Sequence, residues 1–140
     1  MKNLIILCML LVAAPAFTQE PVYKADQFWA TADILTTSES VCYDSVNQFI
    51  YVSCIDGNPT EKDGNGFISK LSLDGEVVEF RWAGSLNAPK GLGIFGGFLY
   101  VTDIDRVLKL NLEDGEIEHV LEVEKANFLN DITIGPDGSV

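Results

Sequence analysis

The chain has 140 residues, 47% of them hydrophobic, which is enough apolar content to build a core and too much for a disordered tail. Its 21 acidic against 9 basic residues give a formal net charge of −12. Such a surface repels phosphate backbones, which excludes nucleic acid as a partner and leaves cations or cationic molecules as plausible ones.

The chain opens on a leader. Lys2 precedes an apolar run from Leu4 to Ala14, and Ala14-Pro15-Ala16 is a small-x-small cleavage site. This pattern predicts a secretory signal peptide over residues 1–16, with cleavage as late as 18, and therefore an exported protein, periplasmic or extracellular. The run is too short to span a bilayer, so no transmembrane segment is expected in the mature chain. Leu7 before Cys8 is large and the charged region is short, which argues against lipoprotein acylation. Cleavage takes Lys2 away and leaves eight basic against 21 acidic residues, a net charge near −13.

From Phe28 onward the pattern is nearly all strand. Val41 to Tyr43 and Phe49 to Ser53 predict one hairpin, and Phe67 to Leu73 with Val77 to Trp82 predict another around Asp74-Gly75, read as a two-residue type I′ turn. Cys42 and Cys54 fall in the first hairpin, offset by about four residues, roughly 13 Å at strand rise, so both are expected as free thiols. Neither has a His or second Cys at zinc spacing. A second unit repeats the pattern: Leu92 to Phe95, Phe98 to Thr102, Val107 to Leu112, then Asp114-Gly115 and Ile117 to Val123. Alternation is clear in Leu108-Lys109-Leu110-Asn111-Leu112, with one face apolar. A third unit opens at Asn130 with a strand through Ile134 and reaches its Asp137-Gly138 turn.

Aligned on these units, Glu39, Lys90 and Asn130 share one register. The steps between them are 51 and 40 residues, with the excess in the Gly/Asn/Asp-rich segment Asp56 to Gly66. A strand-rich period of this size predicts an all-β fold and, specifically, a β-propeller. Blade 1 spans about 38–82, blade 2 about 89–124, and blade 3 begins at about 129–140, so residues 17–140 are expected to be the N-terminal two to three blades of a longer protein. In a propeller the innermost strand of each blade lines the channel, which places Glu39, Lys90 and Asn130 at one mouth. Glu and Asn there supply oxygen donors of the kind that calcium, magnesium or manganese prefer.

At this point the chain resembles the senescence marker protein/gluconolactonase family of six-bladed propellers, also grouped with strictosidine synthase-like proteins. The resemblance rests on Ser38-Glu39-Ser40-Val41 with the Phe49-to-Ser53 strand, and on Leu129-Asn130-Asp131-Ile132 with Gly135-Pro136-Asp137-Gly138. It implies that Glu39 matches the family's first metal-binding carboxylate, with calcium the likeliest ion, and that Asn130 and Asp131 match the segment facing substrate. It further implies a small-molecule ligand in the central channel and, in the family's lactonases, Lewis-acid hydrolysis of a lactone or related ester. Three residues depart from the pattern. Phe128 stands where the sugar-lactonase members carry Arg, Ile132 follows Asp131 where they place Gly, and Lys90 puts a cation at the level of Glu39. Two functions therefore stay open: a metal-dependent hydrolase, and a non-catalytic propeller that binds a ligand or protein without a metal.

Other motifs resolve more simply. Gly91-x-Gly93-x-x-Gly96 matches a dinucleotide fingerprint as a string, but a strand follows it where a helix is required. Glu61-x-Asp63-x-Asn65-Gly66 lacks the first and last ligands of a calcium loop and is read as a loop between strands. His119 is the sole histidine and falls on an outer strand, so no Ser-His-Asp arrangement is available centrally. Asp56, Asp103 and Asp105 follow Tyr-Val strands and are read as turn formers.

Overall fold

The computed structural model describes residues 25–140. The expected signal peptide lies outside the described residues. The described chain is all-β, and its eight strands form two four-stranded antiparallel sheets in simple sequence order. The first sheet comprises β1 (Ser38–Asp44), β2 (Phe49–Cys54), β3 (Gly66–Leu71) and β4 (Val77–Leu86); the second comprises β5 (Pro89–Phe95), β6 (Phe98–Asp103), β7 (Arg106–Asn111) and β8 (Ile117–Glu122). No helix occurs among the described residues, and none there is long and apolar enough to cross a membrane.

Each sheet grows by hairpins because its strands carry β-branched and aromatic residues and are separated by residues that tolerate tight turns. The β1–β2 turn is held by Asp44, whose carboxylate accepts the backbone N–H groups of Val46 (2.9 Å) and Asn47 (3.1 Å) and the Asn47 side-chain amide (2.7 Å). Burial opposes the ionised form of Asp44, but these bonds, with the charge of Lys70, hold its carboxyl below the usual range.

The Asp74-Gly75 turn is not the two-residue type I′ turn that the dipeptide suggests. Ser72 N–H donates to Glu76 O (2.9 Å) and Gly75 N–H to Ser72 O (3.2 Å), which makes a three-residue loop. Gly75 alone takes a positive φ, 82°, whereas a type I′ turn would also force Asp74 there. The longer loop thus confines the left-handed conformation to the residue without a Cβ.

The two sheets stack with β1 beside β5. Tyr51, Ile68 and Trp82 from the first sheet meet Leu92, Leu99, Val101, Leu108 and Leu110 from the second in the main core. Each such side chain contributes about 1.5–3 kcal/mol through the apolar area it removes from water. A smaller cluster of Val52, Cys54, Phe67 and Leu71 lies on the other side of the first sheet, partly covered by Leu35. Cys42 faces Tyr51 and Cys54 faces Ser38 across the β1–β2 ladder, and both cysteines are free. Burial pushes both thiols up.

The internal repeat extends to side chains. Phe49-Ile50-Tyr51-Val52-Ser53 in β2 corresponds to Phe98-Leu99-Tyr100-Val101-Thr102 in β6, since Tyr51 pairs with Cys42 and Lys70 while Tyr100 pairs with Gly93 and Lys109. Lys70 sits over the Phe49 ring at 4.3 Å and reaches Glu79 at 3.6 Å; Lys109 sits over Phe98 at 3.5 Å and reaches Glu118 at 3.6 Å.

The segment after β8 departs from expectation. Residues 130–134 are not a strand: Leu129 N–H donates to Ile104 O (2.7 Å) in the β6–β7 turn, and the chain then meets β5 at Gly91, whose N–H donates to Asn130 O (2.9 Å). An inner strand owes its ladder to the strand that follows it in its own hairpin, as β1 and β5 do. After residues 130–134 the chain turns, and Gly135 N–H donates to Ser139 O (2.7 Å) across that turn.

Candidate functional site

The residues that share the sequence register come together. Glu39, Ser40, Lys90, Gly91, Asn130 and Asp131 line one cleft of about 150 Å³. Glu39 is the second residue of β1 and Lys90 the second of β5, so equal positions in two sheets meet at one level.

A repeated hydroxyl bridge sets that level. Ser53 Oγ accepts the Ser40 N–H (3.0 Å) and donates to the carbonyl of Lys90 (2.7 Å). In the next sheet Thr102 Oγ1 accepts the Gly91 N–H (2.9 Å) and donates to the carbonyl of Asn130 (3.4 Å). Each bridge ties the residue after one register position to the register position of the following unit. A Ser or Thr is required because only a hydroxyl can accept and donate at one point. Gly91 is required for a second reason: a Cβ there would lie 2.7 Å from the Asp131 Cα, and backbone cannot give way.

Asp103 fixes the approach to β5. Its buried carboxylate accepts the N–H groups of Ala88 (2.7 Å) and Asn87 (3.1 Å) and pairs with Arg106 at 2.7 and 2.9 Å. Reading Asp103 simply as a turn former is therefore incomplete: it turns the chain after β6 and also holds the two residues before β5, and so the start of the cleft wall. Asp56 and Asp105 also pair with basic side chains, Arg81 and Lys62.

Lys90 is only 2% exposed, yet it carries an ammonium. Its Nζ donates to the carbonyls of Ala88 (2.9 Å) and Pro59 (3.2 Å) and lies 4.5 Å from the centre of the Phe128 ring. Lys90 and Phe128 thus belong to one unit, a cation and the aromatic face that covers it. Burial pulls the Lys90 pKa down, while the negative charges of Glu39 and Asp103 push it back up.

The oxygen donors are less committed. Glu39, Asn130 and Asp131 are all exposed at the rim. Asp131 Oδ1 accepts the Ile132 N–H (2.8 Å), and the backbone carbonyls of Lys90 and Asn130 are occupied by the bridges above. The cleft therefore offers two carboxylates and one amide beside a buried cation. Among the described residues, no three His, Cys, Asp or Glu side chains converge to hold a metal ion.

A larger groove, about 400 Å³, lies on the free face of the second sheet; Asp131 lines both it and the cleft, whereas Glu39 and Lys90 do not line it. Tyr100, Val107 and Lys109 line it, and their counterparts Tyr51, Ile68 and Lys70 lie on the face of the first sheet that the second covers. By that correspondence the groove is the second sheet's equivalent of a face that is packed in the first. His119 is exposed on β8 and lines this groove.

Sequence reasoning missed the hydroxyl bridges, the holding role of Asp103 and the contact of Pro59 with Lys90. The first was signalled by the matched Tyr-Val-Ser and Tyr-Val-Thr strands; the other two depend on contacts far apart in sequence. Comparison of the chain with protein-family models and with curated proteins returns no match.

Proposed function

We propose that the two sheets are successive blades of a β-propeller resembling the gluconolactonase-like family, and that the cleft at Glu39, Lys90, Asn130 and Asp131 is the mouth of its channel, where an exported protein binds a small polar ligand without a metal. The blade reading is supported by the sequential four-stranded sheets, the adjacent first strands and the hydroxyl bridges that recur between units.

The metal-free reading is carried by Lys90, a buried ammonium in the wall of the cleft. Calcium takes six to eight oxygen ligands, and the described residues offer three side chains with a cation beside them. The Lys90 ammonium and the Glu39 carboxylate feel each other's charge, and the same ammonium would repel a divalent ion at that carboxylate. The donor set fits such an ion poorly. What the cleft can do is accept hydrogen bonds from a polar ligand through Glu39, Asn130 and Asp131, while Lys90 offsets part of the carboxylate charge.

A second reading is favoured by one observation, the meeting of Glu39, Asn130 and Asp131 in one cleft, which the resemblance would assign to a metal-dependent lactone or ester hydrolase. The two separate in an assay of full-length protein with δ-valerolactone, run in a pH-stat with calcium and with EDTA. The metal-free reading expects no hydrolysis above the buffer rate in either. Turnover that EDTA abolishes and Glu39→Ala removes would establish the hydrolase instead.

A further inference from the structure

The two sheets differ most in the connection between their second and third strands. In the second sheet Asp103 pairs with Arg106, leaving only Ile104 and Asp105 between them; in the first, Cys54 pairs with Phe67 and the segment 55–66 intervenes. This longer connection is ordered and anchored. Arg81 holds both of its ends, through Asp56 (2.6 Å) and the carbonyl of Asn65 (3.0 Å), and Asn58 Oδ1 accepts the N–H (3.1 Å) and hydroxyl (2.9 Å) of Thr60.

From this root the segment crosses to the second sheet and touches it at two polar points. Pro59 supplies one of the two carbonyls that hold Lys90 Nζ, and Lys62 forms an ion pair with Asp105 on the β6–β7 turn. The second contact lies among partly exposed side chains, with Lys62 54% accessible, so it is the weaker link. The first is part-buried and completes the cover over the ammonium, which Ala88 O also holds from inside at 2.9 Å.

We infer that the segment 56–66 is a strap whose clasp, Lys62 with Asp105, keeps Lys90 sealed in the cleft wall, which makes Lys62 and Asp105 positioning residues for Lys90. While the clasp is closed, the Lys90 ammonium is held by Ala88, Pro59 and Phe128. When it opens, Pro59 withdraws and the amine is released toward solvent at the edge of the cleft. The inference concerns the state of Lys90 and goes beyond the ligand-binding reading, on which it does not depend.

The strap is tested by lysine labelling of the full-length protein with sulfo-NHS acetate, read residue by residue by mass spectrometry. The fully exposed Lys125 and the well-covered Lys70 serve as internal references. In the wild type, Lys90 should label far more slowly than Lys125. Losing an exposed ion pair should raise the open population, and with it the Lys90 rate, about two- to fivefold, in Asp105→Asn and in Lys62→Met alike, with Lys70 unchanged. The Lys62 substitution leaves the β6–β7 turn intact, so it keeps the test valid if the Asp105 variant folds poorly. An unchanged Lys90 rate in Lys62→Met would overturn the inference, as would Lys70 accelerating in step with Lys90, which would mean general loosening. Because the readout needs no ligand, its failure is distinct from failure of the binding reading.

Discussion

The first and second sheets share a backbone plan and differ in what stands on it. The hydroxyl bridge, the Tyr-Val strand and the Phe-Lys-Glu contact recur in both. Yet Glu39 in one becomes Lys90 in the other, the twelve-residue segment 55–66 becomes a two-residue turn, and the buried thiol of Cys54 occupies the ladder position of the buried carboxylate of Asp103. Repetition therefore secures the geometry, and chemistry is varied at positions the repeat does not need.

The largest break in this comparison is expected at Asp103. Asp103→Ala strips partners from the Asn87 and Ala88 N–H groups and leaves Arg106 unpaired, which should cost about 3–5 kcal/mol in chemical denaturation. Cys54→Ala at the matching position removes one apolar atom and should cost only about 1–2 kcal/mol. Equal losses would mean that the carboxylate is not the hub described.

Tyr51 and Tyr100 come next. Burial, helped by the charges of Asp44 and Glu79, pushes the Tyr51 hydroxyl up to about 12, and that hydroxyl has no hydrogen-bond partner. An unfolded tyrosine ionises near 10, so its stabilising effect is complete below about pH 10 and is lost as pH rises toward 12, on the order of 2 kcal/mol. Tyr51→Phe should flatten that loss relative to wild type and raise stability at neutral pH by about 1 kcal/mol, since a buried unpaired hydroxyl is replaced by hydrogen. Tyr100→Phe, in the partly open counterpart, should leave stability at neutral pH within about 0.5 kcal/mol of wild type.

The bridges themselves should differ by less. Ser53→Ala removes the hydroxyl partner of both Ser40 and Lys90 and should cost about 1–3 kcal/mol. Thr102→Val should cost about 1 kcal/mol, because Gly91 N–H keeps its bond to Asn130 O. The smallest effects belong to Lys70→Met and Lys109→Met, each about 0.5–1 kcal/mol by thermal denaturation and matched to one another.

Much of this was legible before the structure. Strand order and the register of Glu39, Lys90 and Asn130 follow from alternation and from the repeated aromatic-Val-hydroxyl strands, which are local signals. The Gly75 loop was misread because the Asp-Gly dipeptide suits both a two-residue and a three-residue turn, and only the pairing of Ser72 with Glu76 distinguishes them. Asp103 read as a turn residue because an Asp after a strand usually is one; its bonds to Asn87 and Ala88 bridge a sequence gap with no periodic signature. The ammonium of Lys90 was foreseen at the level of Glu39, but its restraint by Pro59 and Phe128 comes from two other parts of the chain.

The central proposal is that the cleft binds its ligand without a divalent ion, on account of Lys90. Titration calorimetry of calcium into full-length protein tests it most directly, with wild type and Glu39→Ala run side by side. The account predicts no binding heat above dilution in either; a saturable calcium isotherm in the wild type that Glu39→Ala abolishes would contradict it.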